Sequence, residues 1–168
     1  MEDDAGADLI GNESPDAQAK ELFLESMRLV ERLHRRMLDV VRSRLEAEGR
    51  TELNAVQALL LFNIGENETT AGELRSRGYY LGSNVSYNLK KLVEMGFLSH
   101  QPSEHDRRAV RISLTEAGRT IRDIVDELFE EHLNALFDDE VFDSRLLSSL
   151  KRNLNNLEKF WSEQLRYL

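Results

Sequence analysis

The chain has 168 residues, of which 40% are hydrophobic and 32% are charged, with a net charge of −9 and no cysteine. This balance indicates one globular domain with a hydrophobic core. Without cysteine, disulfides, thiolate zinc sites and thiol chemistry are excluded. No apolar run approaches the roughly 20 residues of a membrane span. The acidic N-terminus does not resemble a secretory signal, so we expect a cytoplasmic protein.

The N-terminal part predicts a tail followed by one long helix. Residues 1–13 are acidic and contain glycine, which is typical of a disordered tail. Ser14 and Pro15 match the N-cap and first helical position of a helix. From there apolar residues recur at steps of three and four until Gly49. This spacing predicts a long amphipathic helix over 14–49.

Two shorter helices are predicted next. Asn54 and Gln57 stand at the spacing of a capping box. The apolar run after them predicts a buried second helix that ends at Gly65. Thr70 and Glu73 have the same capping-box spacing, and they predict a short third helix that stops at the following glycine.

Residues 82–96 predict a fourth helix with two contrasting faces. Its apolar stripe consists of Val85, Leu89, Leu92 and Val93. Its other face carries side chains that can bind phosphates and base edges, namely Ser83, Asn84, Ser86, Tyr87, Lys90 and Lys91. The short third helix, the turn and this fourth helix together predict a helix-turn-helix whose second helix reads double-stranded DNA.

The individual contacts of this face follow from side-chain chemistry. Asn84 can pair with adenine, and Ser86 suits either a base edge or a phosphate. Tyr87 can instead pack on a sugar-phosphate. Lys90 and Lys91 are adjacent and therefore point about 100° apart on a helix. At most one of these two lysines faces a base, and the other meets phosphate.

A basic hairpin is predicted directly after this helix. Residues 97–101 and 109–114 alternate like two strands, and residues 102–108 form a polar turn between them. The turn carries Arg107 and Arg108. We expect a β-wing aimed at DNA, with Arg107 as a phosphate contact or a solvated side chain.

The charge distribution supports a DNA contact despite the acidic total. Residues 70–111 hold seven Lys and Arg against four Asp and Glu, a net charge of +3, which leaves −12 for the rest of the chain. Phosphates would meet such a basic patch first. Within it, Arg75 and Arg77 on the third helix are either phosphate clamps or part of a solvated face.

Two long helices are predicted after the hairpin. Thr115 caps a helix that runs to about Phe137, and residues 144–168 carry the apolar stripe of the last helix. A minimal winged domain needs neither these helices nor the long first one, so their stripes must be buried elsewhere. A homodimer is the simplest solution, because two-fold dimers dominate soluble oligomers. The alternative is a monomeric helical bundle.

The hairpin and its flank also carry a family pattern. It consists of Asp106, Arg108, Leu114, Thr115 and Gly118. With this pattern the chain resembles the MarR family of winged-helix transcriptional regulators over roughly residues 17–166. The Tyr-rich turn at 78–82, where the family often has a Ser cap, is similar to that of the LdtR-type branch.

The resemblance implies a mainly α fold with a small antiparallel β-wing. It implies one domain over 14–168, in which a winged helix-turn-helix lobe at 50–114 lies between dimerisation helices at 14–49 and 115–168. The homodimer would bind a pseudo-palindromic operator. Arg108 would enter the minor groove while Asp106 orients its guanidinium, which suits the negative potential of a narrow groove.

The resemblance also implies a small apolar or aromatic effector. Its pocket would lie where the long helices meet the DNA-reading lobe. The candidate lining residues are Met37, Val41, Phe62, Tyr79 and Tyr80. Core packing explains the first three of these equally well.

Other functions have less support from the sequence. There is no nucleophile elbow, phosphate loop, HExxH motif or dinucleotide turn, so we expect no catalytic residue and no cofactor. The four histidines show no metal-ligand spacing, so we expect no metal. Two alternative interpretations remain, a dimeric winged-helix adaptor that binds proteins without reading DNA, and an architectural DNA binder that tolerates any sequence.

Overall fold

A computed structural model describes residues 15–66, 69–76, 82–102, 110–139 and 141–167. The tail predicted at 1–13 lies outside these ranges. The described residues form six helices and three strands, in the order α1 (Pro15–Ala47), α2 (Ala55–Ile64), β1 (Thr69–Thr70), α3 (Ala71–Ser76), α4 (Gly82–Glu94), β2 (Leu98–Pro102), β3 (Val110–Leu114), α5 (Glu116–Asp138) and α6 (Ser144–Gln164). The predicted fold class, mainly α with a small antiparallel sheet, is confirmed.

The predicted helix starts are confirmed by their caps. At α2, the Gln57 backbone N–H donates to Asn54 Oδ1 at 2.9 Å, and the Asn54 backbone N–H donates to Gln57 Oε1 at 3.1 Å. At α3, the Glu73 backbone N–H donates to Thr70 Oγ1 at 3.1 Å, and the Thr70 N–H donates to Glu73 Oε2 at 2.7 Å. These reciprocal bonds satisfy backbone donors that a helix start otherwise leaves unpaired.

The sheet contains one strand that the sequence analysis missed. β2 and β3 pair antiparallel as predicted, with His100 opposite Ile112. β1 adds a third strand on the other edge of β3, with Thr69 opposite Ile112 and Thr70 opposite Arg111. A strand of two residues is too short to show an alternating pattern, so periodicity could not reveal it.

The core lies between α2, α5 and the C-terminal half of α1, and it extends under α4 and the sheet. Its most completely buried side chains are Leu45, Leu60, Leu61, Leu74, Leu92, Ile121, Val41 and Val125. The apolar run of α2 is buried, as its composition predicted. This core therefore packs against one face of α4, and the other face of the helix is exposed to solvent.

Two parts of the outer helices, α6 and the first half of α1, are not buried by their own chain. None of the residues of α6, which the structure describes completely, is buried. In the first half of α1, Leu22 and Leu33 are each 58% exposed. The apolar stripes of these segments, for which the sequence predicted burial, are thus exposed to solvent in the single chain.

None of the described helices is apolar enough over a sufficient length to cross a membrane.

A tight junction joins the end of α4 to the start of α5. The Thr115 hydroxyl donates to the Gly96 carbonyl at 2.7 Å, and the Thr115 backbone N–H donates to the Phe97 carbonyl at 3.1 Å. Gly118 packs so closely here that a β-carbon on it would lie 2.1 Å from the Phe97 carbonyl oxygen. Only a glycine fits at this position without moving the backbone.

Candidate nucleic-acid interface

The orientation of α4 follows from its buried face and its C-terminal cap. Leu89 and Leu92 are buried in the core. Gly96 has a φ of +81°, and its N–H donates to the Val93 carbonyl at 3.0 Å. The Phe97 N–H donates to the Leu92 carbonyl at 2.9 Å, which completes a Schellman motif. The predicted glycine cap is confirmed, and the helix is held at its end and along one side.

The opposite face of α4 brings together four of the predicted DNA-binding residues. Ser86 and Tyr87 are exposed, and 63% of Tyr87 is accessible. The side chain of Lys90 is 78% exposed and that of Lys91 44%. A hydroxyl, a phenol and two ammonium groups on one solvent-facing surface can contact phosphates, sugars and base edges.

Glu94 joins this face, although the sequence analysis did not include it in the site. Lys91 Nζ donates to Glu94 Oε2 at 3.1 Å, and Lys90 Nζ lies 3.8 Å from Glu94 Oε1. The hydrogen bond and the charge of Glu94, together with Tyr87, raise the pKa of Lys91. Spacings of three and four residues on a helix are the signal that could have found this ion pair.

Other predicted site residues are placed only in part or not at all. Ser83 and Asn84 belong to the first turn of α4, and Arg75 belongs to α3. Six further predicted residues lie outside the described residues, namely Arg77, Tyr79, Tyr80, Asp106, Arg107 and Arg108. β2 ends at Pro102 and β3 begins at Val110, so these paired strands lead directly to both sides of the predicted wing tip.

The structure separates the candidate effector residues by burial. Val41 has no solvent-accessible surface and is a core residue. Phe62 is half-buried and packs edge-to-face against Phe129, with ring centroids 5.4 Å apart and an interplanar angle of 77°. Met37 is 37% exposed on α1. For Val41, core packing is therefore the alternative that the structure favours.

No group of three His, Asp or Glu side chains that could hold a metal ion forms within the described ranges.

A charged cluster around Arg44 connects α1 to α5. Arg44 donates to both carboxylate oxygens of Glu131, at 2.9 and 3.2 Å, and its Nε lies 3.1 Å from Glu48 Oε1. The hydrogen bond to Glu131, together with the charges of Glu131, Glu48 and Glu127, raises the pKa of Arg44. The Arg44–Glu131 pair links α1 to α5.

Residues 53–118 match the family model of a winged helix DNA-binding domain. The matched range covers α4 with its exposed polar face and the whole sheet. Over 145 residues the chain is 34% identical to the exopolysaccharide II synthesis transcriptional activator ExpG of Rhizobium meliloti (strain 1021), a match that covers 86% of this chain and 74% of ExpG. The protein is therefore a DNA-binding transcriptional regulator.

Solved structures share the fold at low sequence identity. FabT of Streptococcus pneumoniae in complex with DNA superposes with a TM-score of 0.67 and 18% identity, covering 84% of this chain and 98% of FabT. A MarR transcriptional regulator from Methanosarcina mazei Go1 gives a TM-score of 0.61 and 22% identity, covering 84% of this chain and 96% of that regulator. Together with the winged helix match over residues 53–118 and the 34% identity to ExpG, this shared fold shows that the chain belongs to the MarR family of winged-helix transcriptional regulators.

Proposed function

We propose that the protein acts as a homodimer that binds a pseudo-palindromic operator, with one α4 from each subunit in the major groove. The observation that carries this proposal is the exposed polar face of α4, held in place by a buried opposite face. A helix with its side chains is about 10–12 Å across, and the major groove is about 12 Å wide. In this arrangement Tyr87 and Lys90 protrude toward the DNA.

Reading of the sequence is assigned to the first turns of α4. In helix-turn-helix proteins the N-terminal residues of the second helix contact base edges. Here these are Ser83, Asn84 and Ser86, of which Asn84 has the amide that suits adenine. Lys90 and Lys91 lie nearer the C-terminal end of the helix, where they contact phosphates. Sequence-independent affinity and base recognition therefore come from different parts of α4.

The homodimer is inferred from the open apolar faces of the outer helices. Leu22 and Leu33 of α1 are exposed, and so are Leu133 of α5 and Leu154 and Trp161 of α6. So many exposed apolar side chains on three long helices indicate an interaction surface. A two-fold copy of the same helices covers it and places the two α4 helices about one DNA turn apart, at about 34 Å.

The wing and the effector complete the proposed mechanism. We assign Arg108, oriented by Asp106, to the minor groove, and Arg75, Arg77 and Arg107 to phosphates. A small apolar or aromatic effector would bind between the long helices and the DNA-reading lobe, near Met37, Phe62, Tyr79 and Tyr80. Such a molecule changes DNA affinity only if it binds one arrangement of the two lobes better than the other.

Substitutions on α4 test the division between phosphate binding and base reading. Lys90→Ala and Lys91→Ala should each weaken binding to operator and random DNA alike, and each should reduce the salt slope by about 0.9 for every phosphate that the variant no longer neutralises. Asn84→Ala should cost roughly 1–3 kcal/mol per half-site on the operator and little on random DNA. The measurement is a titration at several salt concentrations, with genomic fragments selected by the purified protein and with a random duplex.

The control is Lys159→Ala, which removes the same charge from the exposed surface of α6. It should leave both affinities nearly unchanged. A protein-interaction adaptor would bind neither duplex, and an architectural binder would bind both with equal affinity. Equal losses of affinity from Lys159→Ala and Lys90→Ala would contradict the assignment of α4 to the interface.

A further inference from the structure

The carboxylate of Glu94 contacts the two lysines that α4 presents to solvent. Each lysine meets a different oxygen, since Lys91 Nζ is 3.1 Å from Oε2 and Lys90 Nζ is 3.8 Å from Oε1. The side chain of Glu94 is itself 47% exposed, on the same surface. One anion therefore offsets part of the charge of both cations at the end of the proposed DNA-reading helix.

We propose that Glu94 is a positioning residue that restrains Lys90 and Lys91 and thereby limits the sequence-independent part of DNA binding. The proposal rests on the proposed function, in which α4 contacts DNA. It predicts that the wild-type protein binds random DNA more weakly than its two exposed lysines alone would allow, so that tight binding depends on the recognition of base edges.

The physical reason is competition between a carboxylate and the phosphates. A lysine that is already paired with Glu94 exchanges one anionic partner for another when it meets DNA, so it gains less than an unpaired lysine. If an ion pair persists in the complex, that lysine neutralises no phosphate. Either outcome reduces the net release of counterions that drives sequence-independent binding.

The position of Glu94 separates this effect from base reading. Asn84 and Glu94 are ten residues apart on α4, which corresponds to about 15 Å along the helix axis. The carboxylate therefore lies beside the lysines and far from the first turn. Because a genome offers about 10⁶–10⁹ competing sites, a lower affinity for random DNA leaves more protein free to find its operator.

The experiment compares Glu94→Gln with the full-length wild-type protein on a random-sequence duplex over a series of salt concentrations. Glutamine keeps the shape of the side chain and removes its charge. We expect tighter binding at low salt and a salt slope that is steeper by about 0.9 for each phosphate that a released lysine neutralises, so that the gain shrinks by roughly threefold per phosphate between about 50 and 200 mM salt. Glu130→Gln is the matched control, since it removes one exposed carboxylate from α5, and it should leave the salt slope unchanged.

A variant cycle assigns the effect to the lysines. In a protein with Lys90→Ala and Lys91→Ala, the further change Glu94→Gln should add no more than Glu130→Gln adds, because no lysine remains to be released. A uniform electrostatic effect of removing one carboxylate would instead give the same gain in both backgrounds, and that result would overturn the proposal.

The same measurements separate this proposal from the proposed function. If the two Lys→Ala changes weaken DNA binding while Glu94→Gln behaves like Glu130→Gln, α4 contacts DNA and the restraint by Glu94 is wrong. If the two Lys→Ala changes leave DNA binding intact, the lysines of α4 are not in the interface and both ideas fail. Thermal unfolding of Glu94→Gln should match the wild type, since exposed ion pairs contribute little to stability.

Discussion

Gly118→Ala should lower the free energy of unfolding by about 3 kcal/mol, the upper end of the usual cost of overpacking, because the clash is with a backbone atom. The added β-carbon would lie 2.1 Å from the Phe97 carbonyl oxygen and 3.3 Å from Leu114 Cδ2. That oxygen cannot move away easily, because it accepts the Thr115 N–H. Relief of the clash requires the start of α5 to separate from the end of α4. Urea unfolding followed by circular dichroism measures the effect.

Gly72→Ala is the matched control, because Gly72 is also a helical glycine. A β-carbon there would meet only Thr70 Oγ1, at an ordinary distance of 3.7 Å. Removing a glycine from a helix should stabilise the protein by about 0.5–1 kcal/mol when the space is free. If Gly118→Ala proved as stable as Gly72→Ala, the close packing at this junction would be wrong.

The double substitution Leu150→Gln/Leu154→Gln should dissociate the proposed dimer. Both leucines are 45% exposed in the single chain, so a second subunit can bury about half of each. At about 1 kcal/mol for each leucine, and four leucines in the dimer, the dissociation constant should rise on the order of a thousandfold. Analytical ultracentrifugation should show monomer or aggregate at concentrations where the wild type is dimeric.

The control for this prediction changes two residues on the polar side of the same helix. Arg152→Gln/Lys159→Gln keeps the helix and its apolar stripe, so it should leave the dimer intact. If the leucine variant sediments like this control, α6 does not form the subunit interface. A wild-type protein that sediments as a monomer at all concentrations would favour the monomeric bundle.

Most of the helical framework could be predicted because its signals are local. The cap at Asn54, the cap at Thr115 and the glycine stop at Gly96 each depend on residues within a few positions of one another. Such signals fix where a helix begins or ends before any tertiary contact forms. The apolar spacing in α4 likewise predicted which side faces the core, and this placed Ser86, Tyr87, Lys90 and Lys91 on the exposed side.

Features that depend on distant parts of the chain were not predicted. β1 exists because Thr69 and Thr70 pair with residues more than 40 positions later, and neither residue has a distinctive pattern of its own. The burial of Val41 depends on how α1 crosses α2 and α5, which helical spacing alone does not determine. Glu94 was different, since its spacing from both lysines is local, but the sequence analysis assigned those lysines only to DNA.

The junction at Thr115 and Gly118 has a consequence for how an effector would act. The start of α5 is hydrogen-bonded through Thr115 to the turn that ends α4, and Gly118 packs against the same turn. We therefore expect the two helices to move together as one rigid body. α5 is about 34 Å long by its 23 residues. In the proposed dimer, a small tilt of α5 would therefore change the distance between the two α4 helices. The helical repeat of the DNA would not change with it. In such a dimer, a change in the spacing of the two α4 helices would be enough to lose the fit to DNA, with no change within either helix.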